Sequence, residues 1–380
     1  MSIFRSERFA AILLVAAAAA GLVLANTAVG PDLLGFVDLH LGIPGLGFDL
    51  TLRHWVTDGL LAVFFFIAAI ELKHELTHGE LNSVGKALVP AMAAVGGVVA
   101  PALVYLVVTR DPALSMGWPI PTATDIAFAL GVLAIVGRGL PSRVRALLLA
   151  LAVIDDLIAI VIIAFFFTDG LKPLPLVGAV VVIAAFAVLS RRATIGPWVI
   201  TGLVALGVLA WALVYLSGVH STIAGVSLGL VMAARPAGRA RHGLEPFSNG
   251  IILPVFAFVA ALVPLPSVGI TNLSPAFWAI VIALPVGKLI GITGGAALAA
   301  RFTRGTPALP LADLVAIAGL GGIGFTVSLL MNELAWGENV TLANEGTLAV
   351  ITGSLIAAVV GAALIGARAR HYRRRVPVTD

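Results

Sequence analysis

Two adjacent carboxylates, Asp155 and Asp156, stand in the middle of an apolar stretch, residues 146–167, which reads ALLLALAVIDDLIAIVIIAFFF. The stretch is long enough to cross a bilayer as a helix, which takes about 20 residues. A charged Asp at the centre of a membrane helix costs roughly 2.5 to 3.5 kcal/mol on insertion scales. Because ionisable groups inside a membrane are functional by default, the pair indicates a cation or proton site. A structural polar pair satisfied by neighbouring helices is the alternative.

The composition of the chain identifies a polytopic membrane protein. Of 380 residues, 60% are hydrophobic and only 11% are charged, and the mean hydropathy is +1.09. A soluble domain carries about 25% charged residues. The length permits about a dozen spans in a single integral membrane domain, residues 1–380, without a separate soluble domain. With no cysteine there is no disulfide or thiolate metal site, and we expect no cofactor.

Hydropathy predicts an all-α fold of about twelve transmembrane helices. They fall at residues 9–26, 54–72, 87–109, 121–137, 142–168, 174–190, 197–217, 220–234, 246–263, 273–300, 308–332 and 345–367. The first span resembles a signal peptide, with Arg5 and Arg8 before an alanine-rich run. We favour a retained helix because the run is nearly of bilayer length and everything after it is membrane-bound.

The distribution of cations predicts the orientation. With both termini in the cytoplasm, only Arg53, Arg110 and Lys172 of the 23 lysines and arginines fall on outer segments. Lys288 lies inside a span and all the others fall on inner segments, as the positive-inside rule requires. The sequence therefore predicts a multi-pass membrane protein with both termini in the cytoplasm. This distribution also argues against nucleic acid as a partner, despite the pI near 9.8.

The longest predicted outer segment, residues 26–53, contains an alternating run at residues 47–52, GFDLTL. Alternation of apolar and polar residues between Gly and Pro turns is typical of a β-hairpin. We expect a small hairpin on the outer surface.

Two predicted spans are interrupted. In span 4, Pro119 and Pro121 precede Thr124 and Asp125, and the apolar run 126–136 is too short to cross alone. In span 11, four glycines interrupt residues 318–326, AGLGGIGFT. Glycine in a membrane helix often serves close packing, but irregular backbone at membrane depth is tolerated where protein or a water-filled cavity surrounds it. Two such interruptions favour two broken helices that cross.

Spans 3–5 and 10–12 each contain a broken middle helix, and span 3 begins inside whereas span 10 begins outside. This is the pattern of an inverted repeat, which transporters use to build alternating access around a site near the membrane midplane.

At this point a family resemblance can be stated. The chain resembles the bacterial NhaA-type sodium/proton antiporters over nearly its whole length and in the right order. The motifs that carry the resemblance are TDIAFALGVL at 124–133, AVIDDL at 152–157, GVHSTIAG at 218–225, GK at 287–288 and GIGFT at 322–326, together with DGL at 58–60, FF at 64–65 and ELK at 71–73.

The resemblance implies a role for each residue of the site. Asp156 would be the principal ligand of Na⁺ and Asp155 its partner, with Thr124 as a further ion-binding residue. Asp125 and Lys288 would compensate charge where the broken helices cross, and Lys288 would pair with Asp155 in one protonation state. The glycines of the second broken helix would be Gly321, Gly322 and Gly324.

Elementary chemistry agrees with these roles. Carboxylate, hydroxyl and freed carbonyl oxygens can satisfy sodium, and a carboxylate and an ammonium group can offset positive and negative helix ends respectively.

The resemblance implies exchange of cytoplasmic Na⁺ or Li⁺ for external H⁺, electrogenic and pH-regulated, for sodium and pH homeostasis. It also implies a homodimer formed through the outer hairpin. Residues of access or pH response would be Asp58, Glu71, His74, His220, Arg241 and Glu245. Three of them depart from the family pattern: His74 replaces an arginine, Arg241 an acid and Glu245 a histidine. His220 is matched, although a histidine at a span end is more often structural.

Two other classes of protein use membrane carboxylates. An intramembrane aspartyl protease could pair Asp125 with Asp156, but its Tyr-Asp and Gly-x-Gly-Asp signatures are absent. A channel usually forms a ring of carboxylates from several subunits rather than one asymmetric cluster. We therefore expect a transporter and not an enzyme.

Overall fold

A computed structural model of the chain describes residues 7–43, 48–79, 84–168, 170–192, 196–265, 272–302, 309–337 and 339–375. Helices dominate these residues, in the order α1 Glu7–Ala25, α2 Gly30–Val37, β1 His40–Ile43, β2 Phe48–Thr51, α3 Leu52–His54, α4 Leu61–His78, α5 Val84–Thr109, α6 Ile126–Val136, α7 Ser142–Phe166, α8 Pro173–Ser190, α9 Pro197–Leu216, α10 Thr222–Val231, α11 Ala234–Phe247, α12 Leu253–Ala260, α13 Pro275–Ile282, α14 Lys288–Ala300, α15 Leu311–Gly321, α16 Phe325–Trp336 and α17 Val340–Arg375. Short π-helical turns join α3 to α4, α11 to α12 and α13 to α14.

The described residues contain nine helices that are long and apolar enough to cross a membrane, or up to eleven spans if each of two bent helix pairs counts as one. The protein is therefore a multi-pass membrane protein. Where span 220–234 was predicted, the apolar helix α10 has only 10 residues. A helix of that length extends about 15 Å, half the thickness of a hydrocarbon core. A total of twelve spans stays a prediction.

The chain divides into two compact units, and the first comprises Ala17–Thr77 and Ile160–Leu262. Its core contains buried Ile70, Phe186, Leu203 and Leu228. The backbones of α4 and α10 are in direct contact, because a Cβ on Gly225 would lie 2.0 Å from the carbonyl oxygen of Ala62. Small residues permit such close approach of helices in membrane proteins.

The predicted hairpin is present in the first unit. Strands β1 and β2 pair antiparallel, with His40 opposite Thr51 and Leu41 opposite Leu50, while the connecting residues 44–47 lie outside the described part. Phe48 stacks on Tyr215, with ring centroids 5.4 Å apart. This contact fixes the hairpin to the end of α9.

Two segments predicted as connections are helical. The predicted loop between spans 8 and 9 forms α11, which carries the cations Arg235, Arg239 and Arg241. Hydropathy does not detect this helix because its sequence, ARPAGRARHGLEPF, is polar on average. The outer segment also contains α2 before the hairpin.

The second unit comprises Ser6–Ala16, His78–Ala159 and Val263–Asp380. It contains both bent pairs. Residues Pro112–Thr122 and α6 meet at 47°, and α15 and α16 meet at 49°. The prediction of two broken helices is confirmed. The long helices α5 and α14 pack closely enough that a Cβ on Gly96 would lie 2.1 Å from the carbonyl oxygen of Gly291.

Candidate cation site where two broken helices cross

The first break is made by proline and an N-cap. A short 3₁₀ helix, Ile120–Thr122, ends at Ala123, which is extended with φ −84° and ψ 157°. Asp125 then begins α6 as its N-cap, and its Oδ1 accepts the Phe128 N–H at 2.9 Å. Pro121 has no N–H to donate to a helical hydrogen bond, and Asp is among the preferred N-cap residues. Ala123 and Asp125 are both extended, so the chain is not helical between the two helices.

The second break is made by glycine. Helix α15 ends at Gly321 and α16 begins at Phe325. A Cβ on Gly324 would lie 2.1 Å from Ser328 Oγ and 3.1 Å from the Ala123 carbonyl oxygen. A side chain at position 324 would therefore displace Ser328, and the absence of a Cβ leaves room for the Ala123 carbonyl of the first break. The backbones of the two breaks are joined directly, because the Asp125 N–H donates to the Ile323 carbonyl at 2.6 Å.

Asp125 serves the N-termini of both α6 and α16. While its Oδ1 caps α6, its Oδ2 accepts the Thr326 N–H at 3.1 Å and the Thr326 hydroxyl at 2.6 Å. Helix N-termini carry a partial positive charge. A single buried carboxylate, 2% exposed, thus lies at two positive helix ends.

Lys288 lies on the other side of the crossing. Its ammonium group is fully buried and donates to Asp155 Oδ2 at 2.7 Å and to Thr124 Oγ1 at 3.0 Å. The Thr124 hydroxyl donates in turn to the Gly321 carbonyl at 2.8 Å. Gly321 is the last residue of α15, where the partial charge is negative. Lys288 therefore lies close to the negative end of one half-helix.

The two adjacent carboxylates are both buried, with Asp155 1% and Asp156 5% exposed. Asp155 uses only one of its oxygens for Lys288. Its other oxygen, Oδ1, is buried and makes no hydrogen bond of good geometry with the described residues, although the Thr124 hydroxyl and backbone act on the carboxyl group. Asp156 lies close enough for its charge to act on Lys288. A buried carboxylate oxygen without a well-placed donor is costly unless a proton or cation occupies it.

The structure brings Thr124, Asp125, Asp155 and Lys288 together with the three glycines, and Asp156 is next to them. The sequence analysis overlooked two members of the network. Thr326 donates to Asp125, and Ser354 Oγ accepts the Phe325 N–H at 3.1 Å. The signal available for Thr326 was its place at the end of the motif GIGFT, two residues after the last glycine.

The residues proposed for access or pH response form two pairs in the first unit. His220 Nε2 lies 3.4 Å from Asp58 Oδ1, and His220 Nδ1 lies 2.7 Å from Thr222 Oγ1. Arg241 Nη1 lies 3.7 Å from Glu71 Oε1. His74, Glu75 and Glu245 also act electrostatically on Glu71. The three departures from the family pattern, His74, Arg241 and Glu245, are therefore neighbours of one carboxylate.

Discontinuous helices whose ends face buried ionisable groups define the class of secondary transporters, and both the fold and the site place this protein in that class. The profile of the family described as Na⁺/H⁺ antiporter 1 matches residues 1–365. The chain belongs to that family.

Individual relatives agree with the profile. The chain is 55% identical to Na(+)/H(+) antiporter NhaA 2 of Clavibacter michiganensis subsp. michiganensis, over 100% of this chain and 95% of that protein. It is 45% identical to Na(+)/H(+) antiporter NhaA 3 of Streptomyces coelicolor, over 98% of this chain and 81% of the relative. It is 43% identical to Na(+)/H(+) antiporter NhaA of Tropheryma whipplei, over 99% of this chain and 96% of the relative. The resemblance stated from the motifs is confirmed.

Proposed function

We propose that this protein exchanges sodium for protons at Asp155 and Asp156. The observation that carries the proposal is the buried Asp155 Oδ1, which makes no hydrogen bond of good geometry with the described residues. The names of its relatives, Na⁺/H⁺ antiporters, support the two substrates. These relatives are transporters, and the protein is proposed to act as one rather than as an enzyme.

The reaction is a competition for oxygen atoms. Asp156 is the principal ligand of Na⁺, Asp155 is its partner, and the Thr124 hydroxyl or a freed carbonyl completes the coordination. Protons occupy the same carboxylates when sodium is absent. Because the two substrates exclude each other, the site needs no separate coupling machinery and no cofactor.

Lys288 stabilises Asp155 in the protonation state in which that carboxylate is charged. In the observed arrangement it neutralises Asp155 at 2.7 Å. When a cation takes the oxygens of Asp155, that ion pair is weakened. Release of one proton from each of the two carboxylates for one Na⁺ makes the exchange electrogenic, and the membrane potential then contributes about 2.3 kcal/mol per net charge per 100 mV. Li⁺ is a further candidate substrate of the same oxygens.

Alternating access follows from inverted repeats of spans 3–5 and 10–12 in a fold of twelve spans and one domain. The similar bends of 47° and 49° support the repeat. The positive-inside distribution supports cytoplasmic termini in a bacterial inner membrane. In this orientation the exchange removes cytoplasmic Na⁺ at the expense of the proton gradient. The pH dependence of exchange is set by a group of residues around one carboxylate: Glu71, His74, Arg241 and Glu245. The ion reaches the site by a route that passes Asp58 and His220. Two copies of the protein form a homodimer through the hairpin.

The test is exchange by purified protein in sealed vesicles that carry a pH-sensitive dye. Addition of Na⁺ should move protons in the opposite direction in wild type. Asp156→Asn should abolish this exchange, since the amide preserves size but cannot bind a proton or a cation in the same way. Asp32→Asn, which removes an exposed carboxylate on α2, is the matched control and should behave as wild type.

Two outcomes would indicate another class of protein, and a third would change the site. Sodium flux without coupled proton movement would indicate a channel, and peptide cleavage without either flux would indicate a protease. Near-normal exchange by a folded Asp156→Asn protein would remove Asp156 from the site.

A further inference from the structure

Asp313 is a buried carboxylate outside the cation site. It lies in the first turn of α15 and is only 1% exposed. Arg368 Nε donates to its Oδ1 at 2.6 Å, and the Tyr372 hydroxyl donates to its Oδ2 at 2.6 Å. Arg368 and Tyr372 are one turn apart on α17, with the guanidinium 5.3 Å from the ring centroid, within the range of a cation–π contact. We refer to these three residues as the α15–α17 clamp.

Helix α17 is longer than a membrane crossing requires, and the clamp uses residues near its C-terminal end. Helix α17 has 36 residues, which corresponds to about 54 Å, whereas a hydrocarbon core is about 30 Å thick. Both donors of the clamp lie near the basic end of this helix. That end therefore continues past the apolar stretch and binds the N-terminus of α15.

A second contact joins α15 and α17 near the break. A Cβ on Gly319 would lie 3.1 Å from the Gly361 Cα, and a Cβ on Gly361 would lie 2.9 Å from the Gly319 carbonyl carbon. The two backbones thus touch near the C-terminal end of α15, while the clamp holds its N-terminal end. Contact at two points prevents α15 from tilting on α17.

The C-terminal end of α15 is part of the cation site. Gly321 lies eight positions after Asp313, or about 12 Å further along the helix. The Gly321 carbonyl accepts the Thr124 hydroxyl at 2.8 Å, and the same hydroxyl accepts from Lys288 at 3.0 Å. A change in the tilt of α15 would move this carbonyl and, with it, the partner of Thr124 and Lys288.

We propose that Asp313, Arg368 and Tyr372 are positioning residues for the exchange reaction: they fix the half-helix α15 on α17 and so hold Thr124 and Lys288 in the geometry that binds sodium. This inference rests on the proposed function and adds three residues of the second unit to it, none of which touches the cation.

The test compares sodium dependence of exchange in vesicles among variants. Arg368→Gln should raise the apparent KM for Na⁺ by about fivefold, the lower end of typical coupling between sites. The maximal rate at saturating Na⁺ should stay within about twofold of wild type, because the carboxylates remain in place. Tyr372→Phe removes one hydrogen bond without a charge and should show a smaller increase in KM.

Arg370→Gln is the matched control. Arg370 is exposed on the same helix, so its replacement removes an equal charge without touching Asp313. If Arg368→Gln and Tyr372→Phe both have the sodium KM of Arg370→Gln, the proposal is wrong, even where Arg368→Gln melts at a lower temperature. A merely structural role would lower the amount of folded protein but leave the KM unchanged.

A reversible cross-link covers the case in which Arg368→Gln fails to fold. The chain contains no cysteine, so an Asp313→Cys, Arg368→Cys double variant can be joined by a short bis-methanethiosulfonate reagent. We expect a raised KM in the reduced protein and a KM near wild type after cross-linking. An equal KM in both states would overturn the proposal. Absence of exchange in wild type would instead refute the proposed function itself, so the two failures are distinguishable.

Discussion

Replacement of Lys288 tests whether this lysine balances the charge of Asp155 inside the protein or merely reaches the membrane surface. It is fully buried against Asp155, and removal of one partner of a buried ion pair typically costs about 3–5 kcal/mol. Lys288→Ala should therefore lower the melting temperature and impair exchange, while Lys288→Arg should be better tolerated. Lys172→Ala removes an exposed lysine and serves as the control. Unchanged melting and unchanged exchange in Lys288→Ala would show that this lysine stabilises nothing at the crossing.

His74 provides a second prediction at this scale. A histidine changes its charge between pH 5 and 8, whereas an arginine does not. His74 acts on Glu71, which is also affected by Glu75, Arg241 and Glu245. We expect His74→Arg to shift the midpoint of the pH–activity curve and to leave the sodium dependence at alkaline pH nearly unchanged. His40→Arg, at an exposed position of the hairpin, is the control. If both variants keep the wild-type midpoint, His74 has no part in regulation.

The residues of the site could be predicted from sequence to very different extents. Asp155, Asp156 and Lys288 are conspicuous because each interrupts a long apolar run, where a charge is costly. Thr326 was missed because hydroxyl groups are common in membrane helices. Its role depends on a contact with Asp125 across 201 residues of sequence, and hydropathy contains no information about such a contact.

At the scale of the elements, the close packing at the glycine break between α15 and α16 can be tested by adding one methyl group, as in Gly324→Ala. A Cβ on Gly324 would overlap Ser328 Oγ, which already donates to the Ile120 carbonyl at 2.7 Å. Gly324→Ala should therefore destabilise the protein by about 1–3 kcal/mol, as overpacking does, and reduce exchange. Gly294→Ala on α14 adds a methyl group where no neighbour lies within 4 Å and should be tolerated. Equal melting temperatures and equal exchange rates for the two variants would argue against a tight crossing.

Elements were predictable where one type of residue dictates backbone geometry. Pro119, Pro121 and the glycines of residues 319–324 revealed both breaks, because proline and glycine act through local sterics. The extent of α10 and the existence of α11 were not predictable in the same way. Helix α11 is polar, and α10 is embedded in an apolar stretch whose length suggested a full span. Both depend on packing against other helices of the first unit.

At the scale of the whole molecule, the hairpin leads to a prediction about assembly. Leu39 and Leu41 are 52% and 51% exposed, whereas Phe48, on the second strand of the hairpin, packs on Tyr215. If a second copy covers these leucines, Leu39→Gln with Leu41→Gln should convert a dimer into active monomers. Leu174→Gln, at a position 84% exposed on α8, is the control. Light scattering on detergent-purified protein measures the change, and a strictly monomeric wild type at high concentration would refute the dimer.

The account as a whole claims that sodium and protons compete for Asp155 and Asp156, and one measurement tests this most directly. The apparent KM for Na⁺ is determined in vesicles as a function of pH, with wild type and the Asp32→Asn control side by side. Competition predicts that the KM rises as pH falls, by up to about tenfold per pH unit for each competing proton, while the maximal rate at saturating Na⁺ changes little. A KM that stays constant across the pH range in which exchange is measurable would contradict competition at a shared site.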